Sequence, residues 1–422
     1  MTKSKSYKYN PGKPEPEFPN GERAANDNDP PPGAQQTDNG APYPGILSSA
    51  DFVRDFVPPD YHIDGIAQAG YLYSTTAMTG TGKTAVLLLI SALTMLGLPL
   101  GDREARKGRV VYFAGENPDD VRMRWIAMAH ALGFEPSAVE VYFIAGAFSV
   151  AEMFERVRTD VEKIGGAEMI VVDTSAAYFQ GEDENSNSQL GKHARDLRRL
   201  TTLPGKPVVF AACHPVKNAD PSNLLPRGGG AFIAEVDGNL TLNKTESAVR
   251  MHWQGKHRGP DFEPVHFELE TVTAPSLVDS RGRQVPTVMA KVVGTGEVKQ
   301  RARNAREDEG DVLLEVERAP HQSLTEIADS LDWKAASGDT DKERARRAVA
   351  RLKDRKLISA NASGRGLKLT KAGHAAAVDV RDSKFKATTD ARVATNVVAT
   401  ARNMRVPDRV EHESEQHEYT AA

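Results

Sequence analysis

The chain has 422 residues, of which 39% are hydrophobic, 27% charged and 6% aromatic, enough apolar material for two or three folded units alongside long polar segments. The formal net charge of −4 confines any nucleic-acid contact to local basic patches, and with Cys213 as the one cysteine an intrachain disulfide or a cysteine-rich zinc site is excluded. No stretch reaches about 18 uninterrupted apolar residues, and the opening MTKSKSYKYNPG has no signal-peptide core, so the sequence reads as a cytoplasmic chain without a membrane span.

Residues 1–45 hold nine of the 25 prolines, mixed with Asn, Asp, Gly and Gln and without apolar periodicity, which predicts a disordered arm. From 46 to 298 short β-branched runs (71–75, 109–113, 169–172, 207–212) alternate with helix-length segments (84–96, 118–132, 150–164, 188–200). That alternation predicts an α/β domain with a mostly parallel central sheet covered on both faces. After Glu270 the chain reads as strands and loops. Residues 299–310 read as a charged linker, 311–375 as a second small unit and 376–422 as a flexible tail.

The strongest local signal is Ala77-Met78-Thr79-Gly80-Thr81-Gly82-Lys83-Thr84, between a strand-like run and an apolar helix. The P-loop pattern is GxxxxGK[ST], in which glycines turn backbone N–H groups inward and the helix N-terminus favours anions. Lys83 is suited to the β and γ phosphates, and the Thr84 hydroxyl to Mg²⁺. The first glycine of the pattern is Ala77, at some cost in backbone freedom. A second carboxylate-bearing strand end follows at Met169-Ile-Val-Val-Asp173, where Asp173 is placed to hold the metal with Thr84. Thr174 rather than Glu comes next. The general base is therefore sought at Gly115-Glu116, where a neighbouring parallel strand ends on the same crevice; capping the helix near Pro118 is the other reading of Glu116.

Together these segments resemble the RecA-like ATPases, most closely the RepA-type hexameric replicative helicases and related AAA-type ATPases of phages and plasmids. The resemblance spans about 47–270. It rests on the P-loop, Ile63-Asp64-Gly65-Ile66 before it, Gly115-Glu116-Asn117-Pro118, Cys213-His214 closing a strand, Arg227-Gly228-Gly229-Gly230-Ala231 and Lys256-His257-Arg258. It implies ATP and Mg²⁺ as cofactors and a homo-oligomer, a hexamer in these families. It also implies a γ-phosphate-sensing role for His214, and an arginine finger, Arg258 with Lys256, inserted into the neighbouring subunit's nucleotide site. The loop 215–230, with Lys217 and Arg227, would face DNA. A strand-end histidine, a solvated charged hairpin and a plain loop are the competing readings of these segments.

Residues 311–375 look like a winged helix-turn-helix domain. Ser323–Glu326 has capping-box spacing, and Leu324, Ile327, Ala328 and Leu331 recur at helical spacing. The next helix buries Ala345, Ala348, Val349 and Leu352 and carries Arg344, Arg346, Arg347, Arg351, Lys353 and Arg355, followed by strands with Arg365 and Lys368 about Gly364. Phosphate contact rather than base readout is expected of it, and protein docking is the rival. The sequence thus predicts an ATP-hydrolysing RecA-fold motor acting on DNA, single-stranded through a ring, with duplex contact at the winged helix. The alternative is an ATP-dependent DNA-binding regulator or helicase loader that unwinds nothing; a small-molecule kinase is disfavoured because no lid-type arginine cluster follows the P-loop helix.

Overall fold

The computed structural model describes residues 45–183, 186–245, 248–361 and 366–403. The arm read at 1–45 therefore lies outside the described residues apart from Gly45. The chain divides into two units between Pro58 and Pro59. In the first, the short helix α1 (Ser49–Val53) is capped by Ser48, whose side chain accepts from the Asp51 N–H. Ile46, Leu47, Phe52, Val53, Phe56 and Val57 are all exposed.

The second unit opens with the antiparallel pair β1 (Tyr61–Ile63) and β2 (Ala67–Gln68). Then come β3 (Leu72–Ala77), α2 (Lys83–Leu96), β4 (Val110–Ala114), α3 (Pro118–Leu132), β5 (Val141–Ala145), α4 (Val150–Lys163) and β6 (Met169–Asp173). These are followed by α5 (Asn187–Arg199), β7 (Val208–Cys213), α6 (Gly229–Glu235) and the strands β8 (Gly238–Lys244), β9 (Val249–His257), β10 (Val265–Val272) and β11 (Thr287–Val293). One nine-stranded sheet runs β11-β10-β9-β8-β3-β7-β6-β4-β5. From β8 to β5 every pairing is parallel, and β9 to β11 extend it antiparallel.

Strand alternation sorts the central side chains into two cores. Tyr73, Tyr112, Ala114, Val171 and Phe210 pack with α2 and α3, whereas Leu72, Val111, Phe113, Val172 and Val209 pack with α4 and α5. The predicted helices and strands fall within a few residues of these elements. The strand β5 was not foreseen: its side chains are largely exposed, so Val141-Tyr-Phe-Ile-Ala lacks the contrast that marks a half-buried strand.

Two predicted boundaries are corrected. Residues 299–310 are not a linker but the middle of α7 (Thr295–Arg318), one continuous helix leaving the sheet edge. The segment contains no Gly or Pro before Gly310, and Arg301 pairs with Glu297 one turn back at 2.5 Å and with Glu268 of β10 at 3.0 Å. The chain beyond 376 continues α10 (Lys371–Asn403); the rest of the expected tail, 404–422, lies outside the described residues. Between them α8 (Leu324–Ser330), α9 (Lys342–Asp354) and the hairpin β12 (Ile358–Ala360)–β13 (Leu367–Leu369) enclose a core of Val312, Leu313, Val316, Ile327, Trp333, Ala348 and Leu352. The capping box at Ser323 and Glu326 forms as its spacing predicts. Gly364 and Arg365 lie outside the described residues.

Candidate nucleotide site

Four β-strand ends meet at the carboxyl edge of the parallel sheet, where loops rather than regular structure decide which side chains face the crevice. The motif Ala77–Thr84 links β3 to α2. Ala77 is fully buried and remains in the strand, paired in register with Leu242 of β8. The turn is made further on: Gly80 has φ +78° and Gly82 φ +99°. The positive φ demands glycine at 82, and a Cβ there would also lie 2.8 Å from the tip of the Leu269 side chain, which would have to shift. Met78, Thr79 and Gly80 are exposed, while Thr81 is buried and donates its N–H to the Met78 carbonyl at 3.2 Å. Helix α2 has no side-chain cap and no acidic residue in its first turn. Its first N–H groups are thereby left to an anionic ligand.

Lys83 is buried and donates from Nζ to the Ala77 carbonyl at 3.2 Å. Burial holds its ammonium below the usual lysine range, opposed by the charges of Asp173 and Glu116 nearby. Asp173, at the end of β6, is likewise buried, and desolvation pushes its carboxyl up. Hydrogen bonds from Tyr112 and Thr84 and the charge of Lys83 act the other way. The Tyr112 hydroxyl donates to Asp173 Oδ2 at 2.6 Å. Glu116 arrives from β4, whose Ala114 lies beside Asp173 in register and whose next residue, Gly115, donates its N–H to the Asp173 carbonyl at 2.8 Å. A Cβ on Gly115 would meet the Tyr178 ring at 2.5 Å. Glu116 itself is exposed. Lys83, Thr84, Asp173 and Glu116, scattered over 34 positions on one side of β5 and a further 57 across it in the sequence, thus share one pocket with opposed charges.

The residues fit a magnesium nucleotide. A buried amine beside uncapped helix N–H groups matches phosphate oxygens, and a hydroxyl–carboxylate pair, Thr84 with Asp173, is an oxygen donor set of the kind Mg²⁺ takes.

His214 follows β7, whose Cys213 pairs with Thr76 of β3, so it stands one strand from the P-loop. It is half-buried beside Ser175, His193 and Cys213 on the α5 side, and its carbonyl accepts the Arg227 N–H at 3.0 Å. Burial lifts the Cys213 thiol to about 12, which makes it a packing group. Arg227 is not a loop-tip cation: it is half-buried and lines the same small cavity as His214. The loop it closes is tied down, with Asn239 Nδ2 donating to the Leu224 carbonyl at 2.8 Å and the Leu224 N–H donating to Gln254 Oε1 at 2.6 Å. Lys217 is exposed on that loop.

Lys256 and Arg258 are not part of this pocket. They close β9 beside Gly238, the start of β8, at the opposite end of the sheet from the P-loop. Lys256 Nζ donates to the carbonyls of Ile233 (3.1 Å) and Ala234 (2.7 Å) near the end of α6. Arg258 Nε meets Asp237 Oδ1 at 3.1 Å.

Sequence reasoning missed Tyr112, the buried pair Ser175 Oγ and His193 Nε2 at 3.0 Å, and Asp237. Tyr112 alone carried a signal, being the one hydroxyl-bearing residue in the apolar run 110–114.

A parallel sheet with a glycine turn, a lysine and a threonine at a helix start, and a strand-end aspartate beneath them define a P-loop ATPase domain. The sequence model of the family described as AAA domain matches residues 44–220, so this part of the chain is an AAA-type P-loop ATPase domain of RecA-like kind. The match contains Ala77–Thr84, Glu116, Asp173 and His214 and ends before Lys256 and Arg258. No curated protein matches the chain. Among the described residues no helix is long and apolar enough to cross a membrane.

Proposed function

We propose that the chain is an ATP-driven motor acting on DNA, a helicase or helicase-like replication protein working as a ring of copies. The observation that carries this reading is the position of Arg258. It sits beside the start of β8, near Leu72, whereas the P-loop leaves the far end of the six-residue β3; at about 3.3 Å per residue the two are separated by about 20 Å. Arg258 therefore has no route to its own nucleotide and, as an arginine finger, serves a neighbouring copy. The exposed apolar run from Ile46 to Val57 supports assembly as well, because such patches mark protein contacts.

In this reading the backbone of 78–82 and the Lys83 ammonium grip the β and γ phosphates, and Thr84 and Asp173 hold Mg²⁺, with Tyr112 fixing the aspartate. When bound, the metal neutralises charge on the β and γ oxygens. Glu116, exposed beside Lys83, takes a proton from the attacking water as the bond between the β–γ bridging oxygen and γ phosphorus breaks, giving ADP and phosphate. His214 stands at the edge of the pocket, where it can report γ-phosphate loss to the loop ending at Arg227.

The unit of α7–α9 with its hairpin has the order of a winged helix, and we read it as a DNA-contacting module with a smaller cationic face than the sequence predicts. Arg344 is held by Asp308 at 2.6 Å, and Arg351 and Arg355 by Glu309 at 2.7 and 2.6 Å. These three face α7. Arg346, Arg347, Lys353 and Lys368 carry the contact instead; Arg347, Lys353 and Lys368 are exposed, and Arg346 pairs with the exposed Glu343 of its own helix.

The test is ATP turnover with and without single-stranded DNA for the wild type, Arg258→Ala and Lys83→Ala, with strand displacement assayed in parallel. Stimulation by DNA, loss in each variant and recovery on mixing the two support the motor. Turnover indifferent to Arg258→Ala refutes the ring, and DNA-stimulated turnover without displacement assigns the chain to the regulator class.

A further inference from the structure

We propose that Asp237 is the positioning residue for the trans-acting Arg258, an inference that rests on the finger reading above and deepens it. Asp237 joins α6 to β8, and its side chain is 5% exposed. Its backbone is fixed on both sides, the N–H donating to the Leu72 carbonyl at 2.7 Å and the carbonyl accepting the Arg258 N–H at 2.8 Å. Its Oδ2 accepts the Leu72 N–H at 3.0 Å and pairs with Arg198 Nη1 at 3.0 Å, while Oδ1 takes Arg258 Nε at 3.1 Å.

One guanidinium suffices to neutralise a buried carboxylate, and Arg198 is the one built in. It is 35% exposed and also donates from Nε to the Glu235 carbonyl at 2.8 Å. Arg258 is a second cation on the same carboxylate, with a side chain 60% exposed; ion pairs that open to water add little to stability. Engagement through Nε, the edge nearest its own chain, leaves the two terminal amino groups at the outer end of the side chain. Those groups form the planar fork that grips phosphate oxygens in pairs. An arginine held at its inner edge by a buried, doubly anchored carboxylate presents that fork in one orientation, which removes part of the ordering cost of reaching into a neighbour's site. Lys256, laid on the carbonyls of Ile233 and Ala234, supports the same corner from the other side.

The decisive variant is Asp237→Asn, which keeps an acceptor for the Leu72 N–H but removes the charge that holds Arg258. Steady-state ATPase of the assembled protein is expected to show kcat lowered about 10- to 100-fold, the scale set by misplacing a catalytic group, with KM within about twofold because its own pocket is intact. Mixing with Lys83→Ala subunits, which carry a sound finger, is expected to restore turnover; a misfolded subunit would not be rescued in this way. Asp237→Asn combined with Arg258→Ala is expected to match Arg258→Ala alone. If Arg258→Ala lowers turnover while Asp237→Asn behaves as wild type, the positioning role is overturned and the finger stands. If Arg258→Ala itself has no effect, the finger reading fails and takes the positioning role with it. Should the Asn variant not fold, the wild-type chain decides: the Arg258 Nε–H, identified by its loss in Arg258→Lys, is expected to exchange slowly with solvent. Exchange as fast as in an unpaired surface arginine overturns the proposal.

Discussion

The Tyr112 hydroxyl and the Asp173 carboxylate are joined by a 2.6 Å hydrogen bond beneath the P-loop, both side chains buried. The bond orients the carboxylate proposed above to share a metal with Thr84. Removing it by Tyr112→Phe is expected to weaken Mg²⁺ affinity about 10-fold, in the range found when partners of metal ligands are lost. Titration of nucleotide turnover with Mg²⁺ reads this directly; an unchanged magnesium midpoint would count against the assignment of Asp173.

The two ends of the P-loop are expected to respond oppositely to small substitutions. Gly82→Ala places a Cβ against Leu269 and forces a left-handed backbone at a cost of about 1–2 kcal/mol before the clash is counted. Nucleotide binding should fall at least tenfold by fluorescence titration. Ala77→Gly, which restores the consensus glycine, should leave affinity within about twofold, because residue 77 is a strand position and not the turn.

In the C-terminal unit the cations on α9 should separate into two functional sets. Glu309→Gln leaves Arg351 and Arg355 without their shared carboxylate and is expected to destabilise by about 1–3 kcal/mol in chemical denaturation, with little effect on DNA affinity. Replacing Arg347 or Lys353 by Ala is expected to leave stability within about 0.5 kcal/mol. Each should reduce the salt dependence of DNA binding by about one charge. Equal loss of DNA affinity from both sets would refute the division.

Acid should loosen the ATPase unit before it affects carboxylates generally. His62 is fully buried, its Nε2 sharing a 3.1 Å hydrogen bond with Thr94 Oγ1, and burial lowers its pKa from 6.5 to about 4. The folded chain therefore binds the proton less tightly than the unfolded chain. Its contribution is complete above pH 6.5 and is lost as the pH falls towards 4, about 3 kcal/mol across that window. Denaturation midpoints between pH 7 and 4.5 measure this slope, which should flatten in His62→Gln.

The P-loop was legible because its requirements are local: a strand, a glycine turn and a helix start occupy consecutive residues, and Lys83 with Thr84 at that turn admits few other readings. Asp173 and Glu116 were legible one step further, since alternating strands and helices force parallel strands whose carboxyl ends share an edge. The register sets Ala114 beside Asp173, so the two strand ends are neighbours. The departure at Ala77 was also visible in the sequence, but its harmlessness was not: only the pairing with Leu242 shows that position to be strand.

Charge partnerships across the chain were beyond the sequence. Arg344, Arg351 and Arg355 read as a basic face because their spacing is helical, yet the turn of α9 against α7 directs them onto Asp308 and Glu309, residues taken for linker. Arg258 and Asp237 are 21 positions apart, with two whole strands, β8 and β9, between them. The amino-acid order thus determined the nucleotide chemistry, because a phosphate cradle is written in contiguous residues. The direction in which Arg258 faces, and the carboxylate that holds it, were decided by strand register and packing, since electrostatic pairing acts through space and is indifferent to distance along the chain.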